Sequence, residues 1–204
     1  MPRNLLEGLT RFRSEYFPKH AEEYRRLVSE GQHPRTLFIG CADSRVVPDV
    51  LTGAAPGDLF VVRNVGNLVP PFELESERHH GVTAAIEYAV EILEVEEIII
   101  CGHSHCGAIR SVYEPPPESL AHLSRWLELA APARVEHEGP LSEEVLRKTE
   151  RRSIVIQLDR LMEFPAVRRR VEAGTLKLQG WHYLIETGEV QILDVERGEF
   201  VPHA

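Results

Sequence analysis

Short apolar runs alternate with amphipathic stretches along this chain, and the alternation predicts an α/β fold. Three runs predict buried parallel strands because they are short, are apolar or β-branched, and are bounded by glycine, proline or charged residues. They are TLFIG (36–40), DLFVV (58–62) and EEIIICG (96–102). Apolar residues recur at helical spacing from Val82 to Leu93, which predicts a helix between the second and third strands. We therefore expect a mostly parallel central β-sheet flanked by helices.

The two ends of the chain extend this pattern. Residues 9–17 and 19–30 predict two amphipathic helices that form an N-terminal helical arm. Residues 176–185 and 189–195 flank the turn signal ETGE, which predicts a C-terminal β-hairpin. Between the core strands and this hairpin, residues 119–130 and 142–164 predict covering helices, and Pro165 favours the start of another. We expect residues 1–204 to form a single domain.

Composition narrows the range of partners. The chain has 204 residues, 43% of them hydrophobic, and a net charge of −9, so it has no basic field to attract nucleic acid or an anionic membrane surface. The N-terminus lacks the uninterrupted apolar core of a signal peptide, and no run approaches the ~18 apolar residues of a membrane span. We expect a cytoplasmic protein that binds neither nucleic acid nor membrane.

The three cysteines are too few and odd in number for a disulfide framework, and two of them accompany a histidine at predicted strand ends. Cys41 opens CADSR, and His103 and Cys106 lie in GHSHCG. Loops at the carboxyl ends of neighbouring parallel strands meet in one crevice, where two thiolates and an imidazole can bind zinc. Three protein ligands leave a fourth position for water. The alternative is that these are ordinary buried core residues.

Asp43 and Arg45 flank this crevice, and two roles are open to them. The carboxylate of Asp43 can reach the metal and close a four-ligand shell, or it can turn away and pair with the guanidinium of Arg45. The alternative is a solvated surface ion pair, which is what an Asp and an Arg close in sequence usually form and which contributes little to stability. Their position beside Cys41 favours a role in the site.

These motifs carry a family resemblance. CADSR and GHSHCGA, joined by PGDLFVVRNVGNLVPP and GVTAAIEYAV, resemble the β-class carbonic anhydrases over nearly the whole chain. The resemblance implies reversible hydration of carbon dioxide to bicarbonate and a proton by zinc-bound hydroxide, with one zinc per subunit. It implies that Cys41, His103 and Cys106 are the zinc ligands and that Asp43 and Arg45 form the catalytic dyad.

The same resemblance suggests a substrate pocket. Gln32, Phe60 and Tyr88 stand where plant-like members carry their pocket glutamine, phenylalanine and tyrosine. Carbon dioxide is apolar, so Val65 is expected to add to the pocket wall. The backbone N–H of Gly107, just after a ligand, is expected to meet charge that develops on substrate oxygen.

Regulation, proton transfer and assembly are also implied. Phe38 stands where the bicarbonate-regulated members carry a tryptophan, so the pattern is that of the unregulated, plant-like type. His105 is a possible proton shuttle, given its loop position and titration range. The resemblance implies a homodimer with the active site at the interface and residues 1–34 packed on the partner subunit, and it leaves tetramers or higher assemblies open.

Two other functions fit the same motifs. The scaffold could hydrolyse carbonyl sulfide or carbon disulfide, which are close to carbon dioxide in shape. It could instead be a noncatalytic zinc-binding scaffold protein, although such a protein does not need Asp43 and Arg45. A nucleic-acid-binding zinc protein is disfavoured by the acidic charge and the lack of a paired-cysteine finger.

Overall fold

The chain divides into two compact units, and the residues of each unit mainly contact residues of the same unit. The computed structural model describes residues 4–73 and 80–203. The two units are Met1–His33 and Pro34–Ala204.

The N-terminal unit is helical from Leu5 to Glu30. Helix α1 (Leu5–Arg11) continues through a π-helical turn, Phe12–Tyr16, into α2 (Phe17–Glu30). We expected a break near Pro18, which has no N–H to donate. The wider turn, in which the N–H of Phe17 bonds to the carbonyl of Phe12, carries the helix past this proline instead.

A six-stranded sheet organises the described part of the second unit. Its strands are β1 (Thr36–Cys41), β2 (Leu59–Asn64), β3 (Glu97–His103), β4 (Lys177–Tyr183), β5 (Val190–Asp194) and β6 (Glu199–Pro202), in the order β2-β1-β3-β4-β5-β6. The first four strands are mutually parallel and the last two are antiparallel. The predicted parallel sheet and C-terminal hairpin are thus confirmed. Strand β6, which was not predicted, pairs with β5 and extends the hairpin.

Helices cover the sheet and its loops. They are α3 (Pro48–Thr52), α4 (Gly81–Glu87) with a π-helical turn (Tyr88–Ile92), α5 (Gly107–Arg110), α6 (Ala121–Leu127) with a 3₁₀ turn (Glu128–Ala133), α7 (Glu143–Leu161) and α8 (Pro165–Glu172). Among the residues that the structure describes, none of the helices combines the length and apolar character needed to span a membrane.

The main core lies between one face of the sheet and the helices. Leu37 and Ile39 of β1 and Ile98 and Ile100 of β3 are fully buried there. Their alternation with Phe38 and Ile99, which face the other side of the sheet, is the period-2 pattern of a strand buried on both faces. This packing holds β1 and β3 side by side, with their carboxyl ends at the same edge.

Helix α7 presents both apolar and polar residues to the interior. Ile154 is fully buried and packs where two strands have glycine, so that a Cβ added at Gly102 or Gly180 would come within 2.8 Å of its side chain. The buried polar residues Glu150 and Gln157 lie one turn to either side of Ile154. Close approach at the glycines is therefore what fixes this helix over β3 and β4.

We expect Gly180→Ala to destabilise the protein by about 1–3 kcal/mol, because the added Cβ would overpack a buried isoleucine branch. The free energy of unfolding in urea measures the effect. Gly81→Ala is the matched control, since a Cβ there meets no atom within 4 Å. Equal stability of the two variants would contradict the close approach of α7 to the sheet.

Candidate metal centre

Three buried potential metal ligands converge at the carboxyl end of the sheet. Cys41 is the last residue of β1 and His103 the last residue of the neighbouring parallel strand β3, while Cys106 precedes α5. One ligand atom from each of the three lies within 4.8 Å of the others. The parallel pairing of β1 with β3 brings residues 62 positions apart in sequence to one point.

The imidazole of His103 is oriented for metal binding. Its Nδ1 lies 2.9 Å from the carbonyl oxygen of Ser104, so Nδ1 carries the proton and donates it to that bond. Nε2 is buried and has no hydrogen-bond partner among the described residues. A buried nitrogen lone pair without a partner is unfavourable in a protein interior unless a metal or another donor satisfies it.

The two thiols influence each other's ionisation. Hydrogen bonding to Cys106 is the largest cause that lowers the pKa of Cys41, and backbone N–H groups, including that of Gly66 at 3.4 Å from Sγ, act in the same direction. The same contact, together with burial, raises the pKa of Cys106. Without a metal the pair thus favours one thiolate and one thiol, and a bound cation would displace the second proton.

This donor set fits zinc. Two thiolates and one imidazole are borderline-soft ligands typical of zinc sites, and the unpartnered Nε2 of His103 provides the lone pair that such a site needs. With three protein ligands the set resembles a catalytic rather than a structural zinc site.

Asp43 faces these ligands but is held by Arg45. The Arg45 Nε and Nη2 atoms donate to the two carboxylate oxygens at 2.9 and 2.7 Å, and the backbone N–H of Arg45 adds a third bond at 3.0 Å. Oδ2 is nevertheless 3.8 Å from Nε2 of His103. The Arg45 hydrogen bonds hold the pKa of Asp43 well below its usual range, so this carboxylate stays ionised beside the metal centre.

A second arginine holds the backbone of the same loop. Arg63, at the end of β2, donates from Nε to the carbonyl of Cys41 at 3.0 Å and from Nη2 to the carbonyl of Asp43 at 2.7 Å. Arg63 was not among the predicted site residues, although its position directly after a predicted strand was a usable signal. Together the two arginines fix both the backbone and the side chain of Asp43.

The predicted pocket residues are placed as follows. Phe60 of β2 and Tyr88 are in aromatic contact, with ring centroids 5.8 Å apart. Val65 follows β2, and its carbonyl accepts a hydrogen bond from the Trp126 indole at 2.7 Å. Gly107 is the first residue of α5, directly after Cys106.

Gln32, the remaining predicted pocket residue, belongs to the N-terminal unit, where it is exposed and lies just beyond the end of α2.

The loop from His103 to Cys106 is tied to the turn between β4 and β5. Ser104 donates from Oγ to Glu186 at 2.6 Å, and Arg147 of α7 donates to the other carboxylate oxygen at 2.5 Å. The Ser104 hydrogen bond is the largest cause that lowers the pKa of Glu186 to about 2. His105 adopts a positive φ of 55°, and its Nε2 lies 3.9 Å from Glu186.

The sequence of this chain is similar to those of known proteins. A family profile described as "Carbonic anhydrase" matches residues 36–190. A carbonic anhydrase of Synechocystis sp. is 41% identical over 203 residues, which cover 97% of this chain and 73% of that protein.

Solved structures agree with this relationship. The β-carbonic anhydrase CcaA is 40% identical with a TM-score of 0.90, covering 98% of each chain. A tetrameric β-carbonic anhydrase of Sordaria macrospora is 27% identical with a TM-score of 0.79, covering 93% of this chain and 95% of its own.

The depressed pKa of Glu186 leads to a pH prediction. Its folded pKa of about 2 lies below its usual value of 4.5, so its contribution to stability is present above pH 4.5 and is lost as pH falls toward 2. We expect Glu186→Gln to lower the free energy of unfolding at pH 7 by at most about 1 kcal/mol, because the group is 38% exposed and screened by solvent.

Unfolding curves between pH 3 and 7 measure this effect, and the difference from the wild type should narrow below pH 4.5. Glu196→Gln is the control, since Glu196 is an exposed carboxylate in the β5–β6 turn. A difference that stays constant or grows as the pH falls would contradict the prediction.

Proposed function

The chain belongs to the β class of the carbonic anhydrase family, and on that premise we propose how its residues divide the work of zinc-dependent carbon dioxide hydration. The reaction yields bicarbonate and a proton. One observation supports the assignment of roles above all: Asp43 faces the Cys41, His103 and Cys106 cluster while both of its carboxylate oxygens are held by Arg45.

We assign one zinc per subunit to Cys41, His103 and Cys106. When bound, zinc supplies Lewis-acid activation of water at near-neutral pH. The three side chains fit this task because Nδ1 of His103 is already committed to the Ser104 carbonyl, which leaves Nε2 for the metal. The fourth coordination position would be left to solvent because Arg45 holds both carboxylate oxygens of Asp43.

Asp43 and Arg45 act as the catalytic dyad. The ionised carboxylate accepts a hydrogen bond from the attacking water and so orients one of its lone pairs toward the substrate carbon. Its low pKa means that it is a poor final acceptor of the proton. The proton therefore leaves to buffer, and we retain His105, 36% exposed at the rim of the site, as the candidate shuttle.

The substrate pocket is assigned to Phe60, Val65 and Tyr88 with Gln32 and the N–H of Gly107. The contact between the Phe60 and Tyr88 rings makes an apolar wall suited to carbon dioxide. The Gly107 N–H stands at the first position of α5, where it has no partner within the helix, and is suited to growing negative charge on substrate oxygen. We assign the polar contribution of Gln32 to the partner subunit's pocket, in keeping with a site at a dimer interface.

The chain forms an oligomer in this proposal, with the homodimer as its basic unit. The Sordaria enzymes are described as tetrameric. Leu5, Leu6 and Leu9 of α1 are 82%, 70% and 64% exposed, which is unfavourable for a helix unless another surface covers it. We propose that residues 1–34 pack on the partner subunit as an arm of a single-domain protein.

We also propose a cytoplasmic location and the plant-like type. All three cysteines are unpaired, as is usual in a reducing compartment. Phe38 is fully buried and packs edge-on against Trp181 with ring centroids 6.2 Å apart, so it fills the position where regulated members carry tryptophan.

We expect Asp43→Asn to lower kcat/KM for carbon dioxide hydration by about 100-fold or more, because the neutral amide loses the negative charge and the second acceptor oxygen of the bidentate pair with Arg45. Stopped-flow hydration with metal analysis measures this, and zinc should remain at one per chain. Asp49→Asn, on the exposed side of α3, is the control and should keep full activity. Near-wild-type turnover of Asp43→Asn would remove the dyad from the mechanism, and faster sulfide release from carbonyl sulfide than hydration would favour the alternative substrate.

The arm generates a separate prediction. The triple variant Leu5→Ser, Leu6→Ser, Leu9→Ser should weaken the dimer at least tenfold, because the exposed leucines lose the apolar area that they would bury on the partner. Analytical ultracentrifugation measures the dissociation constant. Val195→Ser, at an equally exposed apolar site in the β5–β6 turn, should leave it unchanged. An unchanged mass distribution in the triple variant would argue against the arm.

A further inference from the structure

A buried carboxylate contacts the backbone of the loop from His103 to Cys106, which we call the metal loop. It is not one of the three clustered metal ligands. Glu150 of α7 is only 3% exposed. Its Oε1 accepts the backbone N–H of Cys106 at 3.1 Å, and its Oε2 lies 3.1 Å from Nε2 of His182. Burying a carboxylate is expensive unless hydrogen bonds compensate for lost hydration, so this arrangement calls for an explanation.

The second partner of the carboxylate is itself fully buried. His182 of β4 is 0% exposed and is opposite Gly102 in the β3–β4 register, one residue before the ligand His103. Since a carboxylate accepts hydrogen bonds, Nε2 of His182 carries the proton and donates it. Nδ1 of His182 has no partner among the described residues. The ring is thus oriented by Glu150, and by edge-on packing against Phe200 with centroids 6.2 Å apart.

The fold holds this pair in a fixed place. Ile154, one helical turn after Glu150, is seated against Gly102 and Gly180, where no Cβ separates helix from sheet. The carboxylate therefore links a rigidly packed helix to strand β4 on one side and to the metal loop on the other. A displacement of the helix would move both contacts.

Cys106 is the ligand that most needs such support. Cys41 and His103 are each the last residue of a strand, so the hydrogen bonds of the sheet hold them in place. Cys106 instead follows His105, whose φ of 55° is unfavourable for a residue with a side chain. Without Glu150 the N–H of Cys106 would be a buried donor without an acceptor. The position of the Cys106 thiolate would then depend mainly on the short helix α5 that follows it.

We propose that Glu150, backed by His182, is a positioning residue that fixes the Cys106 thiolate and slows the loss of zinc. It acts through the backbone of Cys106 and touches neither substrate nor metal. This inference rests on the zinc assignment in the proposed function, but its test does not depend on catalytic turnover.

The experiment compares zinc release from loaded protein into an excess of a colorimetric chelator. We expect Glu150→Leu to release zinc about 10–100-fold faster than the wild type, the usual effect of losing a partner that orients a metal ligand. Glu150→Gln should stay close to the wild type, because its amide oxygen can still accept from Cys106. His182→Leu should fall between them.

Gln157→Leu provides the matched control. Gln157 lies on the same buried face of α7, and its side-chain oxygen accepts the N–H of Val69 at 2.8 Å, far in sequence from any ligand. The variant should lose stability and yet release zinc at the wild-type rate. Cobalt-substituted protein gives a second readout: the thiolate-to-cobalt absorption should shift in Glu150→Leu and stay unchanged in Gln157→Leu.

Wild-type release from Glu150→Leu, or equal acceleration by Gln157→Leu, would overturn the proposal. If Glu150→Leu does not fold, the test uses His182→Leu. A zinc release rate and a cobalt spectrum unchanged from the wild type would then overturn the role proposed for Glu150 and His182. A wild-type chain that takes up no zinc would overturn the zinc assignment and this inference together. A zinc-loaded wild type without hydration activity would overturn the proposed function alone.

Discussion

The parallel pairing of β1 with β3 is the constraint on which the site depends. It brings the ends of two strands to one edge of the sheet, so that Cys41 and His103 meet although α3, β2 and α4 lie between them in the sequence. The buried aliphatic residues of both strands hold that pairing in place. The loops that carry the site therefore follow strands that are buried in the main core, and they lie at the carboxyl ends of parallel strands, where ligands usually bind.

Competition for one carboxylate then decides what the site can do. Oδ2 of Asp43 lies 3.8 Å from Nε2 of His103, but Arg45 holds both oxygens of the carboxylate. Arg63 holds the backbone carbonyls of Cys41 and Asp43. A bidentate arginine pair supplies both orientation and charge, which a single hydrogen bond would not. The same interaction keeps Asp43 ionised, and in the proposed mechanism it would leave a coordination position of the metal to water. Glu150 supports Cys106 through one hydrogen bond to its backbone N–H.

Sequence reasoning predicted the sheet and the ligand cluster because both rest on local signals. Apolar runs marked β1 to β3, and the motifs that follow them marked Cys41, His103 and Cys106. It left Asp43 with two possible roles, since only side-chain geometry shows which partner it has. It missed Glu150 and His182 because each looks like a surface residue in a periodic pattern, and their burial depends on the approach of α7 to Gly102 and Gly180. Strand β6 was missed because it has only four residues, although it pairs with β5 across a short turn.

A crystal structure of the zinc-loaded protein at neutral pH tests the central claim most directly. We predict zinc bonded to Sγ of Cys41, Nε2 of His103 and Sγ of Cys106, at about 2.3 Å for sulfur and about 2.0–2.1 Å for nitrogen. We predict that Asp43 remains paired with Arg45 and that no protein atom takes the fourth position. A structure in which Asp43 leaves Arg45 and coordinates zinc would contradict the account.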